Sequence, residues 1–364
     1  MFSTHLLLVG GGHAHVEVLR RLARRPQPGL RITLISRERR MLYSGMLPGV
    51  IRGEYGLDDA SIDLDPMARA AKAELIVGEA VALDLTLRRA LVASFGQIGF
   101  DLLSLDIGGM QPVPEGAGLA VKPIDGFLAG WIAIESRLAQ GMRVTVVGGG
   151  AAGTELVLAL ARRFRGQVRL TLVSAGPEPL DLAPARARRI VRAGLLDAGV
   201  ALVSGVSAAA AENGRLLLSD GSFLETEVVL WATGIHGPGF LAASGLACDE
   251  AGCIRVDACL RSLSHEFVFA AGDCAAFEHA PRPKAGVWAV RAGAPLTENL
   301  RRAATNRPLH QWHPQREALA ILGLGDGRAV AWRNGIALSG RPVWAWKDWI
   351  DRRWVSRHRI VPQG

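Results

Sequence analysis

The 364-residue sequence predicts an α/β fold in which one strand–turn–helix unit is used twice, and three observations predict it. The first is His5-Leu6-Leu7-Leu8-Val9-Gly10-Gly11-Gly12-His13-Ala14-His15-Val16-Glu17, an apolar run of strand length that meets three glycines and then a helix-compatible segment through Leu22. The second is Arg143-Val144-Thr145-Val146-Val147-Gly148-Gly149-Gly150-Ala151-Ala152-Gly153-Thr154-Glu155, which repeats the design and runs on as a helix to about Phe164. The third is that each copy is followed by a similar closing strand, Phe100–Gly108 after the first and Glu227–Gly234 after the second. Two copies of one unit, in the same order, imply two domains.

The chemistry of the turns follows from their glycines. Glycine lets a backbone approach a pyrophosphate closely, and the helix that follows offers free N–H groups and a positive dipole end. This is the strand–turn–helix context of a dinucleotide site, so both domains are expected to be Rossmann-like, in three layers. The second copy satisfies G-x-G-x-x-G with Gly148, Gly150 and Gly153. The first has Gly10 and Gly12, but His15 stands where a third glycine normally lets helix and strand pack closely. The acidic residue expected after the second strand, to hold a ribose hydroxyl, is absent from both copies. Ser36 follows Arg31–Ile35, and Ser174 follows Val168–Val173. No arginine directly follows Ser174, so the pattern does not distinguish NADH from NADPH.

In chain order, Met41–Val50 is an apolar segment broken by Gly45, Pro48 and Gly49, and it carries no cysteine. Residues 75–99 alternate apolar and polar and read as an antiparallel excursion. Gln111-Pro112-Val113-Pro114-Glu115-Gly116 reads as the linker into the second domain, and 130–141 as a helix. Ala183–Gly199 reads as an Arg-rich helix, and 200–226 as strands turning at Asn213-Gly214 and Asp220-Gly221. Past Gly234 the chain is expected to return to the first domain. His265–Ala271 is an apolar strand ending in Gly272-Asp273. An aspartate at the carboxyl end of such a strand points into the ligand crevice, where it accepts from a hydroxyl; the alternative is a plain helix cap.

Composition narrows the function. Net charge is +8, with 42 basic residues of which only Lys72, Lys122, Lys284 and Lys347 are lysines. The arginines are scattered and no nucleic-acid-binding module is visible, so a nucleic-acid partner is not expected. Cys248, Cys253, Cys259 and Cys274 form no C-x-x-C and no histidine cluster joins them, so no metal is expected. Only four residues precede His5 and no apolar run nears membrane-spanning length, which suggests a cytoplasmic protein with reduced thiols.

These motifs resemble the pyridine nucleotide–disulfide oxidoreductase superfamily over about residues 5–305. The chain is similar to type II NADH dehydrogenases, whose second turn also ends G-x-E, as Gly153-Thr154-Glu155 does. It resembles more closely the FAD-dependent module often fused to selenide, water dikinase, through Val9–His15, Leu42–Gly49, Lys122-Pro123-Ile124-Asp125 and Lys347–Arg353. The resemblance implies FAD in the first domain (1–112 and 250–305), NAD(P)H in the second (113–249) and an α+β appendage (306–364). The expected cofactor-binding residues are Gly10, Gly12, His13, His15, Ser36, Arg37, Pro48, Gly108, Gly272, Asp273, Ala285, Gly286 and Val287 in the first domain. In the second they are Gly148, Gly150, Gly153 and Gly234. The comparable segment of disulfide reductases carries redox cysteines; Met41–Val50 has none, which excludes a thiol relay there. Type II dehydrogenases carry paired glutamines beside the flavin, where this chain has Arg291 and Ala292.

The expected activity is hydride transfer from NAD(P)H to FAD, with electrons passing to a small-molecule acceptor, quinone-like or otherwise. Glu155 is the expected catalytic residue, facing the nicotinamide–flavin junction. The helix starting near Ala285 is expected to aim its N–H groups at the reduced flavin. Alternatives are a flavin-binding regulatory protein and a selenium- or sulfur-handling reductase using Cys248 or Cys253. Six of nine tryptophans lie past residue 305, and Val343, Trp346, Ile350 and Trp354 form a stripe on a helix through Val343–Val355, with arginines around it. The stripe reads either as a peripheral membrane contact on the cytoplasmic face or as packing over the flavin domain or across a homodimer.

Overall fold

A computed structural model of the chain describes residues 3–113 and 116–359; Pro114 and Glu115 of the expected linker lie outside the described residues. The chain opens with β1 (Thr4–Val9), α1 (His13–Arg24) and β2 (Leu30–Ser36), followed by the short helix α2 (Leu47–Arg52), β3 (Ala73–Val77) and β4 (Leu102–Leu105). The second domain holds β5 (Leu119–Ala120), α3 (Ile124–Glu135), β6 (Arg143–Val147), α4 (Ala151–Phe164), β7 (Arg169–Ser174), α5 (Ala185–Asp197), β8 (Ala201–Ser204) and β9 (Val228–Trp231). Next come β10 (Val268–Ala270) and α6 (Gly286–Ala303). The end is β11 (Ala320–Gly323), β12 (Ala329–Arg333), β13 (Ile336–Gly340) and α7 (Arg341–His358).

Two parallel sheets result, alike in the four strands that follow the edge strand beside the closing strand. Their orders are β10-β4-β1-β2-β3 and β5-β9-β6-β7-β8, so the strand entering each Gly-rich turn is central. Central parallel strands are covered on both faces, which explains why Leu6, Leu7, Leu8, Val144 and Val146 are all buried. Each unit also carries a three-stranded antiparallel excursion, within 80–99 and 208–225. The fold is therefore the duplicated α/β arrangement that the sequence predicts.

The expected helix over 130–141 instead spans Ile124–Glu135. Pro123 sits at its N-cap, where a missing N–H costs nothing, and Asp125 lies in its first turn. The first apolar core already contains Leu241 and Leu246, and Leu47 and Ile51 of α2 join the core of the second. Two strand-like crossings run side by side between the domains: Met110 donates its N–H to the His236 carbonyl at 2.9 Å, and His236 returns the bond at 2.8 Å. Gln111 ties them further, donating to the Thr233 carbonyl and accepting from the Lys122 N–H, both at 3.0 Å.

The appendage is a three-stranded antiparallel sheet followed by α7. Its helix docks on the first domain. Trp354 stacks on Tyr43 with ring centroids 4.3 Å apart and lies 5.3 Å from the His13 ring. His358 meets the Glu17 carboxylate at 2.8 Å, and Tyr55 donates its hydroxyl to Asp348 at 2.6 Å. Packing is thus what the structure shows for Val343, Trp354 and Val355, while Trp346 and Trp349 remain 42% and 56% exposed. No helix among the described residues is long and apolar enough to cross a membrane.

Candidate active site

The first Gly-rich turn opens onto a crevice of about 650 Å³. Gly10, Gly12, His13, Ser36, Arg37, Gly108, Gly272, Asp273 and Gly286, all expected cofactor residues, line it. Gly10 turns the chain with φ +97°, a conformation that glycine adopts without penalty. The carboxyl ends of β1, β2, β4 and β10 and the N-termini of α1 and α6 converge there, the place where parallel α/β sheets bind ligands. A glycine turn, two helix N-termini and a long crevice fit the pyrophosphate and flavin of FAD.

Electrostatics at this crevice differ from the expectation in three places. Asp273 is almost fully buried, and its carboxylate is held by the Lys122 ammonium, which arrives from the domain crossing. His15 does not reach the crevice. Its ring is buried, Nδ1 bonds the Gly10 carbonyl at 2.6 Å, and Nε2 meets the Ser104 hydroxyl at 2.8 Å. It fills the gap between α1 and β4 that a glycine would have closed, and burial pulls it down to about 4, so it is neutral. His13 lines the crevice and is also brought to about 4, by burial and then by the Lys122 charge.

The third difference is Asp106, which sequence reasoning passed over. It follows β4, and its carboxylate accepts from the N–H groups of Ala14 at 2.7 Å and His15 at 3.1 Å. These are the second and third residues of α1, so a side chain from another strand does the work of an N-cap. The signal was present: an ionisable residue ends an otherwise apolar strand, where the second copy has Ala232.

Around the second turn, Gly148 has φ +128°. A Cβ at Gly153 would strike the Gly148 carbonyl, which is the close helix–strand approach that the third glycine permits. A Cβ at Gly150 or Gly234 would meet nothing within 4 Å. Gly150 caps α4 with no side-chain partner. These groups fit the pyrophosphate of NAD(P)H.

Glu155 departs most from its expected place. It lines neither of the two cavities described here; its carboxylate accepts from the Gly323 N–H at 2.8 Å and lies 3.7 Å from Lys347 Nζ. Lys347 in turn bonds Asp351 at 2.8 Å and the Gly45 carbonyl at 2.9 Å. The glutamate thus anchors the appendage to α4. Pro48 is buried at the start of α2, and neither it nor Val287 lines the crevice. Ala285 caps α6 and lines a second cavity, of about 260 Å³, together with Phe277, Arg282, Lys284 and Trp288. The two cavities share Gly272 and Asp273. Cys253 is fully buried and donates to the Asp273 carbonyl at 3.4 Å, and burial pushes its thiol up. No group of three potential metal ligands exists among the described residues.

Comparison with known proteins agrees with this geometry. The chain is 27% identical to an NADH dehydrogenase-like protein of Mycobacterium tuberculosis over 343 residues, covering 85% of this chain and 82% of that one. It is 24% identical to the demethylphylloquinone reductase NdbB of Synechocystis, covering 97% and 96% of the two chains. Among solved structures, the sulfide:quinone oxidoreductase of Aquifex aeolicus superposes with a TM-score of 0.81 at 18% identity, covering 99% and 93%. The model of the pyridine nucleotide-disulphide oxidoreductase family matches residues 4–293. With two dinucleotide turns, the flavin-sized crevice and that match in place, the chain belongs to the pyridine nucleotide-disulphide oxidoreductase family and is an FAD-dependent NAD(P)H oxidoreductase.

Proposed function

We propose that electrons leave the flavin toward a small planar molecule, quinone-like or of similar size, received in the second cavity. The observation that carries this reading is the sharing of Gly272 and Asp273 between that cavity and the FAD crevice. Phe277 and Trp288 line it, and the Arg282 guanidinium lies 4.2 Å from the Trp288 ring centroid. Aromatic walls with a cation beside them suit a flat ring that gains negative charge as it is reduced. FAD, when bound, supplies the hydride acceptor and the electron store. The chain's own residues orient it: the Gly10–Gly12 turn and the α6 N-terminus offer N–H groups, and Lys122 neutralises Asp273. Names among the relatives support a quinone, since NdbB is a demethylphylloquinone reductase; Arg291 and Ala292, in place of a glutamine pair, argue for another small acceptor.

The test is anaerobic stopped-flow reduction by NADH and NADPH, followed by reoxidation with a panel of quinones and non-quinone acceptors. Trp288→Ala should slow reoxidation about tenfold and leave reduction by NAD(P)H nearly unchanged, as expected for loss of about 1.4 kcal/mol of acceptor binding. Equal loss in both half-reactions would refute the second cavity as the acceptor site.

We further propose that Trp346 and Trp349, both exposed and the latter beneath the Arg353 guanidinium, touch a membrane surface. Co-sedimentation with anionic vesicles at low salt tests this. Retention of the full chain in the supernatant would refute it.

A further inference from the structure

We propose that Asp106 is a positioning residue of the FAD site that carries a proton whenever the cofactor is bound, so that FAD loading above neutral pH takes up about one proton from solvent. Its carboxylate is wedged between two loops that define the crevice. A Cβ at Gly12 would strike the carboxylate from one side, and a Cβ at Gly272 would strike it from the other. It is 3% exposed and still lines the crevice. Among the described residues no cation pairs with it, because the nearby ammonium of Lys122 is held by Asp273.

The groups that face it are few. From α1 come the N–H groups of Ala14 and His15, with the His15 ring neutral. From the end of β10 come Asp273, also acidic, and the buried thiol of Cys274. From the domain crossing comes Lys122. Burial, and then the Asp273 charge, already push Asp106 up to about 7. A dianionic pyrophosphate entering this crevice adds negative charge to a site that already disfavours it, and a like charge at close range raises a carboxyl further. Protonation removes the conflict: Asp106 takes one proton from water, becomes neutral, and keeps an oxygen for the Ala14 and His15 N–H groups. The second domain needs no such step, since Ala232 occupies the matching place.

Linkage fixes the sign. Below about pH 6 Asp106 is protonated with or without FAD, and affinity is flat. Above 7 the free protein must acquire a proton to bind, so affinity falls as pH rises, by at most tenfold per unit. The experiment dilutes the full-length holoprotein at pH 6.5, 7.5 and 8.5 and reads released FAD by its fluorescence. Wild type should bind about 25-fold more weakly at pH 8.5 than at 6.5, and Asp106→Asn should hold its affinity within about twofold across the range. A second measurement needs no variant. Calorimetric reloading of the FAD-stripped full chain at pH 8, in two buffers of different ionisation enthalpy, should report uptake approaching one proton. A flat wild-type profile without proton uptake overturns the proposal, and so does an unchanged slope in Asp106→Asn. If that variant does not fold, the two-buffer result on wild type decides alone.

Discussion

The two Gly-rich turns of this molecule share the order of four strands around them, the same first two glycines of the motif and the same serine after the second strand, yet their helix N-termini are finished differently. In the first, His15 and Asp106 fill the space beneath the turn, the imidazole against Gly10 and Ser104, the carboxylate against Ala14 and His15. In the second, with Gly153 and Ala232 in the matching places, only backbone and the Ala232 methyl occupy that space. Registers confirm the correspondence: Val9 pairs Leu105 and Val147 pairs Trp231, so Asp106 and Ala232 are the next residues in each. The lesson is that a missing third glycine is not a damaged motif. A buried, doubly bonded histidine with a small polar residue opposite is a second way to join helix and strand, and in this turn Asp106 stands beside it at the crevice.

The sharpest way to break this comparison is one methyl group. Gly12 and Gly150 have φ near −70° in both turns, so alanine costs no backbone strain at either. At Gly12 it meets the Asp106 carboxylate; at Gly150 it meets nothing within 4 Å. Gly12→Ala should lose most bound flavin, with overpacking of about 2–3 kcal/mol weakening FAD by roughly 30- to 150-fold. Gly150→Ala should keep a full flavin complement. The visible flavin-to-protein absorbance ratio checks both, and equal retention would show that the first turn is no tighter than the second.

Restoring the motif should harm the first domain. His15→Gly empties a buried site, removes two hydrogen bonds and places glycine in a helix, costing about 3 kcal/mol of stability. Thermal unfolding of the holoprotein measures it; a variant as stable as wild type would mean that the imidazole is incidental.

Acid should undo the docking of α7 on the first unit. Burial alone would raise the Glu17 carboxyl, but the bonds from Arg20, His358 and Arg21 together hold it far below the usual carboxylate range. A depressed folded value gives stability that is present above the unfolded value, near 4.5, and lost as pH falls below it. Trp354 fluorescence should therefore change between about pH 4.5 and 3, and Glu17→Gln should remove that transition.

The smallest effect belongs to Glu155→Gln. The amide keeps the bond to the Gly323 N–H and loses only the Lys347 attraction, so stability should fall by about 1 kcal/mol and flavin reduction by NADH should stay within about twofold. A large fall in the reduction rate would return Glu155 to the chemistry.

Much of this was legible in the residues. The two Gly-rich runs lie within single strand–turn–helix units, so local pattern alone locates β1, β6, α1 and α4, and the Ala271-Gly272-Asp273 ending marks the crevice. The misplaced helix at 130–141 came from a weak signal, because Ile124–Glu135 is apolar on nearly every face and has no clear stripe. The stripe on α7 was visible, but the rings that cover Trp354 come from Tyr43 and His13, far away in the chain.

The sequence by itself determined the duplicated α/β architecture and the presence of two dinucleotide sites, because the turn chemistry of each site is written in consecutive residues; which site takes FAD and which NAD(P)H came from the family resemblance. Tertiary structure alone decided what stands beneath each turn. Asp106 lies 92 residues from the N–H group of Ala14 that it caps, and Glu155 lies 168 from the Gly323 N–H that claims it. Contacts of that range depend on strand register and on where the appendage docks, and no local pattern encodes either.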